Sequence, residues 1–255
     1  MNFINDVRGF LVLAAFIGCS QSAGPLVSDS SCGPYSTINE DFPLFGAVCR
    51  FHVTDIDAND RIKVIPDDDT TAQYFNIVLE GSGNNVWVNV TLKKPLDRET
   101  LGGMVTMQIS IIDTQHNQLH YEHTIYIIDV NDEPPEFQNL SSYMLEINEL
   151  PCNKTVVYTN IHATDKDSGA NGRIRYAMTP KVQSLEARQM YSQTFSIDPV
   201  TGHVSLNSCL DYERNSYYQF RVTAQDAGSN IQFTSTTELV ILVKDVIDES
   251  AFITG

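Results

Sequence analysis

Five short acidic motifs occur twice in this chain, in the same order and roughly 110 residues apart, and that repeat constrains the fold more than any other feature. Ile38-Asn39-Glu40 returns as Ile147-Asn148-Glu149. Asp55-Ile-Asp57 returns as Asp165-Lys-Asp167, and Leu96-Asp97-Arg98-Glu99 as Leu210-Asp211-Tyr212-Glu213. Asp113 matches Asp226, and Asp129-Val-Asn-Asp-Glu133 matches Asp245-Val-Ile-Asp-Glu249. One such match is weak; five in register specify two copies of one structural unit, and 255 residues accommodate two domains of this size.

Each copy reads as β-structure. Val86–Leu92, Thr106–Ile112 and His123–Ile128 mix β-branched and aromatic residues at near-alternating positions, as do Tyr218–Ala224 and Thr237–Val243. Gly81–Gly83, Ser168-Gly169 and Pro199–Gly202 read as turns. No helical stretch of useful length is expected. Short alternating strands in domains of this size imply an all-β fold of two tandem β-sandwiches. Between the copies, Asn131–Pro135 is a short linker whose two prolines preset φ and remove two backbone donors. The single Trp87 lies inside a strand pattern and is expected in the core.

Acidic residues outnumber basic ones 32 to 16, for a net charge of −16. That surface repels phosphate backbones, so nucleic acid is excluded as a partner, and an anionic membrane surface is disfavoured for the same reason. Nearly all the repeated motif residues are acidic, which turns attention from solubility to cation binding.

Taken together, these motifs resemble the extracellular repeats of cadherins over most of Ile38 to Phe252. The resemblance rests on Asn39-Glu40, Asp55-Ile-Asp57, Leu96–Glu99 and Asp129–Glu133 with the following Pro134-Pro-Glu-Phe137. In the second copy it rests on Asp165–Asn171, Leu210–Glu213 and Ala224-Gln-Asp226. It implies Greek-key sandwiches stacked end to end with three calcium ions at the junction. Glu40, Asp97, Glu99 and Asp132 are expected to hold the outermost ion. Glu40, Glu99, Asp129, Asp132 and Asp167, with the Val130 carbonyl, are expected to hold the middle one. Asn131, Asp165, Asp167 and Asp226, with the carbonyls of Glu133 and Asn171, are expected to hold the third. Calcium takes six to eight oxygen ligands, and without it the clustered carboxylates repel by ~4 kcal/mol per pair at 4 Å and an effective dielectric of 20.

The resemblance also suggests an extra ion at the free tip of the first repeat, held by Asp55, Asp57 and Asp113, with Asn59 and Asp60 in the same stretch. At the far end Glu149, Asp211, Glu213, Asp245 and Asp248 form half of another junction, in which Ile247 replaces a ligating asparagine. Either the chain is a fragment or the protein stops there.

The expected segments are a signal peptide at 1–23, repeat one at 24–132, repeat two at 133–249, and a tail or the start of a next repeat at 250–255. Arg8 precedes the apolar run Phe10–Ile17, which is too short to span a bilayer and is followed by small residues, as in a secretory leader cut between Ser20 and Gly24. Removing the leader takes Cys19 and leaves four cysteines. Three pairings are possible; Cys32–Cys49 with Cys152–Cys209 keeps one bridge in each half. Asn89, Asn139 and Asn153 head glycosylation sequons.

No nucleophile elbow, phosphate-cradling glycine loop or zinc-protease motif is present, so an enzyme acting on a small-molecule substrate is not expected. His116, His120 and His123 have helical spacing but sit in a hairpin pattern, which places His120 and His123 on opposite faces; all read as surface residues. No tryptophan lies between Gly24 and Glu40, so strand exchange through an N-terminal tryptophan is not expected. The sequence therefore points to extracellular calcium-dependent adhesion by membrane-distal repeats, the partner being the same or a different cadherin. Any membrane attachment would come through a missing C-terminal region. The rival reading is a calcium-binding spacer or soluble decoy with no adhesion of its own.

Overall fold

The computed structural model describes residues 22–33, 35–138, 142–149 and 155–246. The leader segment, Asn139, Cys152, Asn153 and Asp248 lie outside them, apart from Ser22 and Ala23. By compactness the chain divides into two units. One takes residues up to Ser36, Phe42–Pro95 and Val105–Tyr126; the other takes Thr37–Asp41, Leu96–Met104 and Ile127 onward.

The first copy of the repeat contains strands β1 (Leu26–Ser30), β2 (Tyr35–Asn39), β3 (Ala47–Thr54) and β4 (Lys63–Pro66). Helix α1 (Asp69–Tyr74), β5 (Phe75–Ser82), β6 (Asn85–Leu92), helix α2 (Arg98–Leu101), β7 (Met104–Ile112) and β8 (Gln118–Ile128) follow. They form two four-stranded sheets, β1-β3-β6-β5 and β2-β8-β7-β4. Strand β6 shows why. Val86, Val88, Val90 and Leu92 are at most 2% exposed, while the residues between them face outward. The same period of two buries Phe51 and Val53 of β3, and Met107, Ile109 and Ile111 of β7. A disulfide joins Cys32 to Cys49 beside this core.

The second copy contains β9 (Glu136–Phe137), β10 (Tyr143–Asn148), β11 (Thr155–Tyr158), β12 (Ala163–Thr164) and β13 (Arg175–Pro180). Then come helix α3 (Leu185–Thr194), β14 (Phe195–Ile197), β15 (Val204–Leu206), β16 (Tyr217–Gln225) and β17 (Thr234–Lys244). The main sheet runs β10-β17-β16-β13, with β11-β15-β14 and β12-β9 completing the set. Strands β16 and β17 pair antiparallel from Tyr217↔Leu242 to Gln225↔Thr234, whereas β10 lies parallel to β17 from Tyr143↔Leu239 to Asn148↔Lys244. Phe195, Phe220, Val222, Leu239 and Ile241 form the centre of the core. Cys209 is disulfide-bonded.

Three sequence expectations need correction. Trp87 is partly buried on the outward face of β6 rather than in the core, because the valines flanking it are in phase with the core. His123 is 1% exposed, on the inward face of β8, where its Nε2 lies 2.8 Å from Ser36 Oγ. Burial holds its pKa below the usual histidine range. A ten-residue helix, α3, does form. The Ser184 side chain caps it, and Tyr191 and Thr194 are its buried contacts. Among the described residues no helix is long and apolar enough to cross a membrane.

Candidate metal centre

The site begins with Glu40, at the end of β2. Its backbone N–H donates to the Ile128 carbonyl at 3.1 Å. Its carboxylate, 5% exposed, accepts from Arg98 N at 3.0 Å and Val130 N at 2.6 Å. The second copy repeats this bond for bond: Glu149, 3% exposed, accepts from Tyr212 N at 2.8 Å and Val246 N at 2.7 Å. The glutamate thus ties together the strand end, the helical turn after Asp97 or Asp211, and the segment leaving the last strand.

Asp97 caps that turn. Its carboxylate accepts from Thr100 N at 2.7 Å and Thr100 Oγ1 at 2.9 Å, and Gly102 ends the turn at φ 69°. The turn aims Glu99 inward. Glu99 Oε1 is buried with no hydrogen-bond partner. Burial, then the charges of Glu40 and Asp129, push its carboxyl up to about 7.

The linker and the second repeat supply the rest. Asp129 accepts from Ser168 N at 2.9 Å and Asn171 Nδ2 at 2.8 Å. Asp167, 6% exposed, accepts from Glu133 N at 3.3 Å through one oxygen, while the other is buried without a partner. Burial, then Asp165, Asp129 and Asp132, push it up to about 6. Asp132 and Asp165 shift upward too, desolvation first and neighbouring carboxylates next. Asn131 donates to Asp226 Oδ2 and the Ile231 carbonyl, both at 3.0 Å, which leaves its own Oδ1 buried and unpartnered. Asp226, 2% exposed, also accepts from Gly228 N and Phe233 N.

Two carboxylate groups result, each with ligand atoms within 4.8 Å of one another: Glu40, Glu99 and Asp129, and Glu99, Asp132 and Asp167. Both are subsets of the ligand set expected for the middle ion, and they share Glu99. Asp97, Asp165 and Asp226 stand outside these groups. Four buried oxygens have no hydrogen-bond partner: Glu99 Oε1, Asn131 Oδ1, Asp165 Oδ2 and Asp167 Oδ1. An orphaned buried oxygen is costly, and a hard cation satisfies several at once. With oxygen donors alone, and no histidine or cysteine in either group, the set fits a hard cation of the calcium, magnesium or manganese kind rather than zinc or copper.

Sequence reasoning missed three contributors. Arg98 Nη1 lies 3.2 Å from Asp129 Oδ1 and 3.5 Å from Glu99 Oε1, so the cluster already holds a cation of its own. Its position between two named acids was the available signal. Gly172 and Gly228 shape the ligand loops. A Cβ on Gly172 would come 2.0 Å from the Asp167 carbonyl, and one on Gly228 would come 2.2 Å from the Ile231 carbonyl and 2.6 Å from Asn131 Nδ2.

In the first unit, Asp55, Asp60 and Asp113 form a third group, each at most 6% exposed. Asp55 Oδ2 and Asp60 Oδ2 are buried and unpartnered. The close group takes Asp60 from the expected stretch, while Asp57 Oδ2 accepts from Ala23 N at 3.0 Å. Asp55 Oδ1 caps the Asp57 N–H at 2.9 Å, as Asp165 Oδ1 caps that of Asp167 at 2.9 Å. At the other end, Asp211, Glu213 and Asp245 are exposed, although the Asp211 carboxylate accepts from Arg214 N at 2.8 Å, and Glu149 is buried.

These features define a class: tandem all-β sandwiches whose strand ends and linker gather buried, oxygen-only ligand sets. Residues 145–244 match the cadherin domain family. The chain is 30% identical to human Cadherin-23 over 224 residues, 88% of this chain and 6% of that protein. It is 31% identical to the mouse Cadherin EGF LAG seven-pass G-type receptor 2 over 214 residues, 84% of this chain and 7% of that protein. The protocadherin GammaB4 extracellular domain superposes with a TM-score of 0.74 at 23% identity, covering 88% of this chain and 34% of that one. Human protocadherin-24 EC1-2 gives 0.63 at 25% identity, covering 88% and 99%. The chain belongs to the cadherin superfamily.

Proposed function

We propose that the chain is an extracellular, calcium-dependent adhesion module built from membrane-distal cadherin repeats, with the repeat boundary near Asp132. The buried oxygens of Asn131, Asp165 and Asp167 without hydrogen-bond partners carry this reading, together with Glu99, whose Oε1 has only a long 3.5 Å contact with Arg98, in a ligand set made only of oxygens. Three ions, with the ligands set out above, neutralise most of the eight carboxylates. Calcium makes linker 129–133 a stiff connection where carboxylate repulsion would otherwise open it. Asp55, Asp60 and Asp113 take a further ion at the tip. The partner is another cadherin, the same or different, met without strand exchange.

The test displays residues 24–255 on beads with calcium at millimolar level or with chelator, alongside calcium titration of the free protein. Calcium-dependent clumping is the expected result for a homophilic partner. Calcium-stabilised folding without clumping assigns a different cadherin partner or a spacer role. Folding and clumping that both ignore calcium overturn the proposal.

A further inference from the structure

The two copies of the repeat differ at one position of the metal centre. In both, the residue after the aspartate gives its backbone N–H to the buried glutamate: Arg98 to Glu40 at 3.0 Å, and Tyr212 to Glu149 at 2.8 Å. That main-chain bond is what the copies share here. The side chains diverge. Tyr212 is exposed. Arg98 instead turns its guanidinium onto the acids, with Nη1 at 3.2 Å from Asp129 Oδ1 and 3.5 Å from Glu99 Oε1. Those two side chains are 12% and 14% exposed, and that of Arg98 is 26% exposed. Glu99 and Asp129 are two of the three acids in the close group that Glu40 completes. One guanidinium nitrogen therefore draws on an oxygen of each, and calcium would draw on the same two acids. A guanidinium and a divalent ion held against the same carboxylates repel one another at short range, where a partly desolvated site screens them least.

We propose that Arg98 competes with calcium for the metal centre: its guanidinium bridges Glu99 and Asp129 in the calcium-free protein and gives way toward solvent as calcium binds. The proposal rests on the calcium reading above. The competition has two effects of opposite sign. Without calcium, the bridge offsets part of the repulsion among the clustered carboxylates, so the turn that carries Glu99 stays beside Asp129. With calcium, the same bridge lowers the affinity, because its two ion contacts must break before the oxygens are gained. The partial exposure of the Arg98 side chain gives it a way out that displaces no core residue. The glutamate keeps its backbone bond to Arg98 N throughout, so the turn need not unfold to release the guanidinium.

The test compares the full chain with Arg98→Tyr, the residue that the second copy carries at this position. Titration calorimetry should show the calcium concentration for half-saturation falling about fivefold in the variant, which is ~1 kcal/mol, the upper end for a part-exposed ion pair. In chelator the variant should unfold at lower urea than the wild type. Nuclear magnetic resonance of the wild type reads the displacement itself. The Arg98 guanidinium N–H signals, identified by their loss in Arg98→Tyr, should exchange slowly with water in chelator and rapidly at saturating calcium. Calcium binding that is unchanged or weaker in Arg98→Tyr overturns the proposal, and so does slow guanidinium exchange that persists at saturating calcium. Both results leave the metal reading standing. A wild type that calcium does not stabilise at all overturns the metal reading and this proposal with it.

Discussion

Replacing Glu40 with alanine and, separately, Glu149 with alanine separates structure from ion binding. The two carboxylates are 5% and 3% exposed, and each accepts two backbone N–H bonds in matching positions. Truncation orphans two N–H groups in either variant, and at ~1–3 kcal/mol per group the loss is roughly 2–6 kcal/mol. Of the two, among the described residues, Glu40 alone also stands in a close group with two further acids. A site with Kd of ~10⁻⁴ M adds about 2.7 kcal/mol at ~10 mM calcium. The wild type and Glu149→Ala should gain that increment on adding calcium, and Glu40→Ala should not. Urea unfolding followed by circular dichroism, with calcium and with chelator, reads both effects, fitted as separate transitions where the two repeats melt apart. An equal calcium increment in both variants would refute the assignment of Glu40 to the metal centre.

Gly172→Ala should abolish most calcium stabilisation although the residue supplies no ligand, because its Cβ would sit 2.0 Å from the Asp167 carbonyl; titration calorimetry matching wild type would rule this out. Without calcium, stability should fall as pH rises from 4.5 to about 7, since Glu99 binds its proton more tightly folded than unfolded, with Asp167 adding the same trend between 3.8 and about 6. A urea midpoint that climbs with pH across that window in chelator contradicts the crowding of these acids. Replacing Cys32 and Cys49 with serine should cost ~3 kcal/mol by the loop-entropy relation for a closure of this length, and reduction of the wild type should shift the urea midpoint likewise. Phe51→Ala, which empties a position 0% exposed, should cost ~3–5 kcal/mol in the same assay.

Much of this was legible in the sequence because alternation and repetition are local signals. Val86, Val88 and Val90 announced a strand, and the paired acids announced where chain ends converge. Parity was the harder question. Trp87 and the valines occupy opposite phases of one strand, and only packing decides which phase faces the core. His123 was misplaced for the same reason, since a histidine in a mixed hairpin carries no phase label. At the tip, Asp60 lies in the close group and Asp57 accepts a bond from Ala23, thirty-four residues away, which motif spacing cannot register. Arg98 looked like filler between two acids, and its role depends on where Asp129 lies in space. The two loop glycines matter through a missing Cβ, which leaves no trace in a pattern of side chains.

The parallel pairing of β10 with β17 has a consequence for load. Once the short β9 has yielded, force drawn through the second repeat pulls the start of β10 one way and the end of β17 the other. The two lie side by side and run in the same direction, so the pull slides one along the other. The six residue pairs from Tyr143↔Leu239 to Asn148↔Lys244 then share the tension together rather than opening one after another. A hairpin tugged at its two free ends would unzip; this seam resists in shear, so strength under tension is set by the length of the β10–β17 overlap.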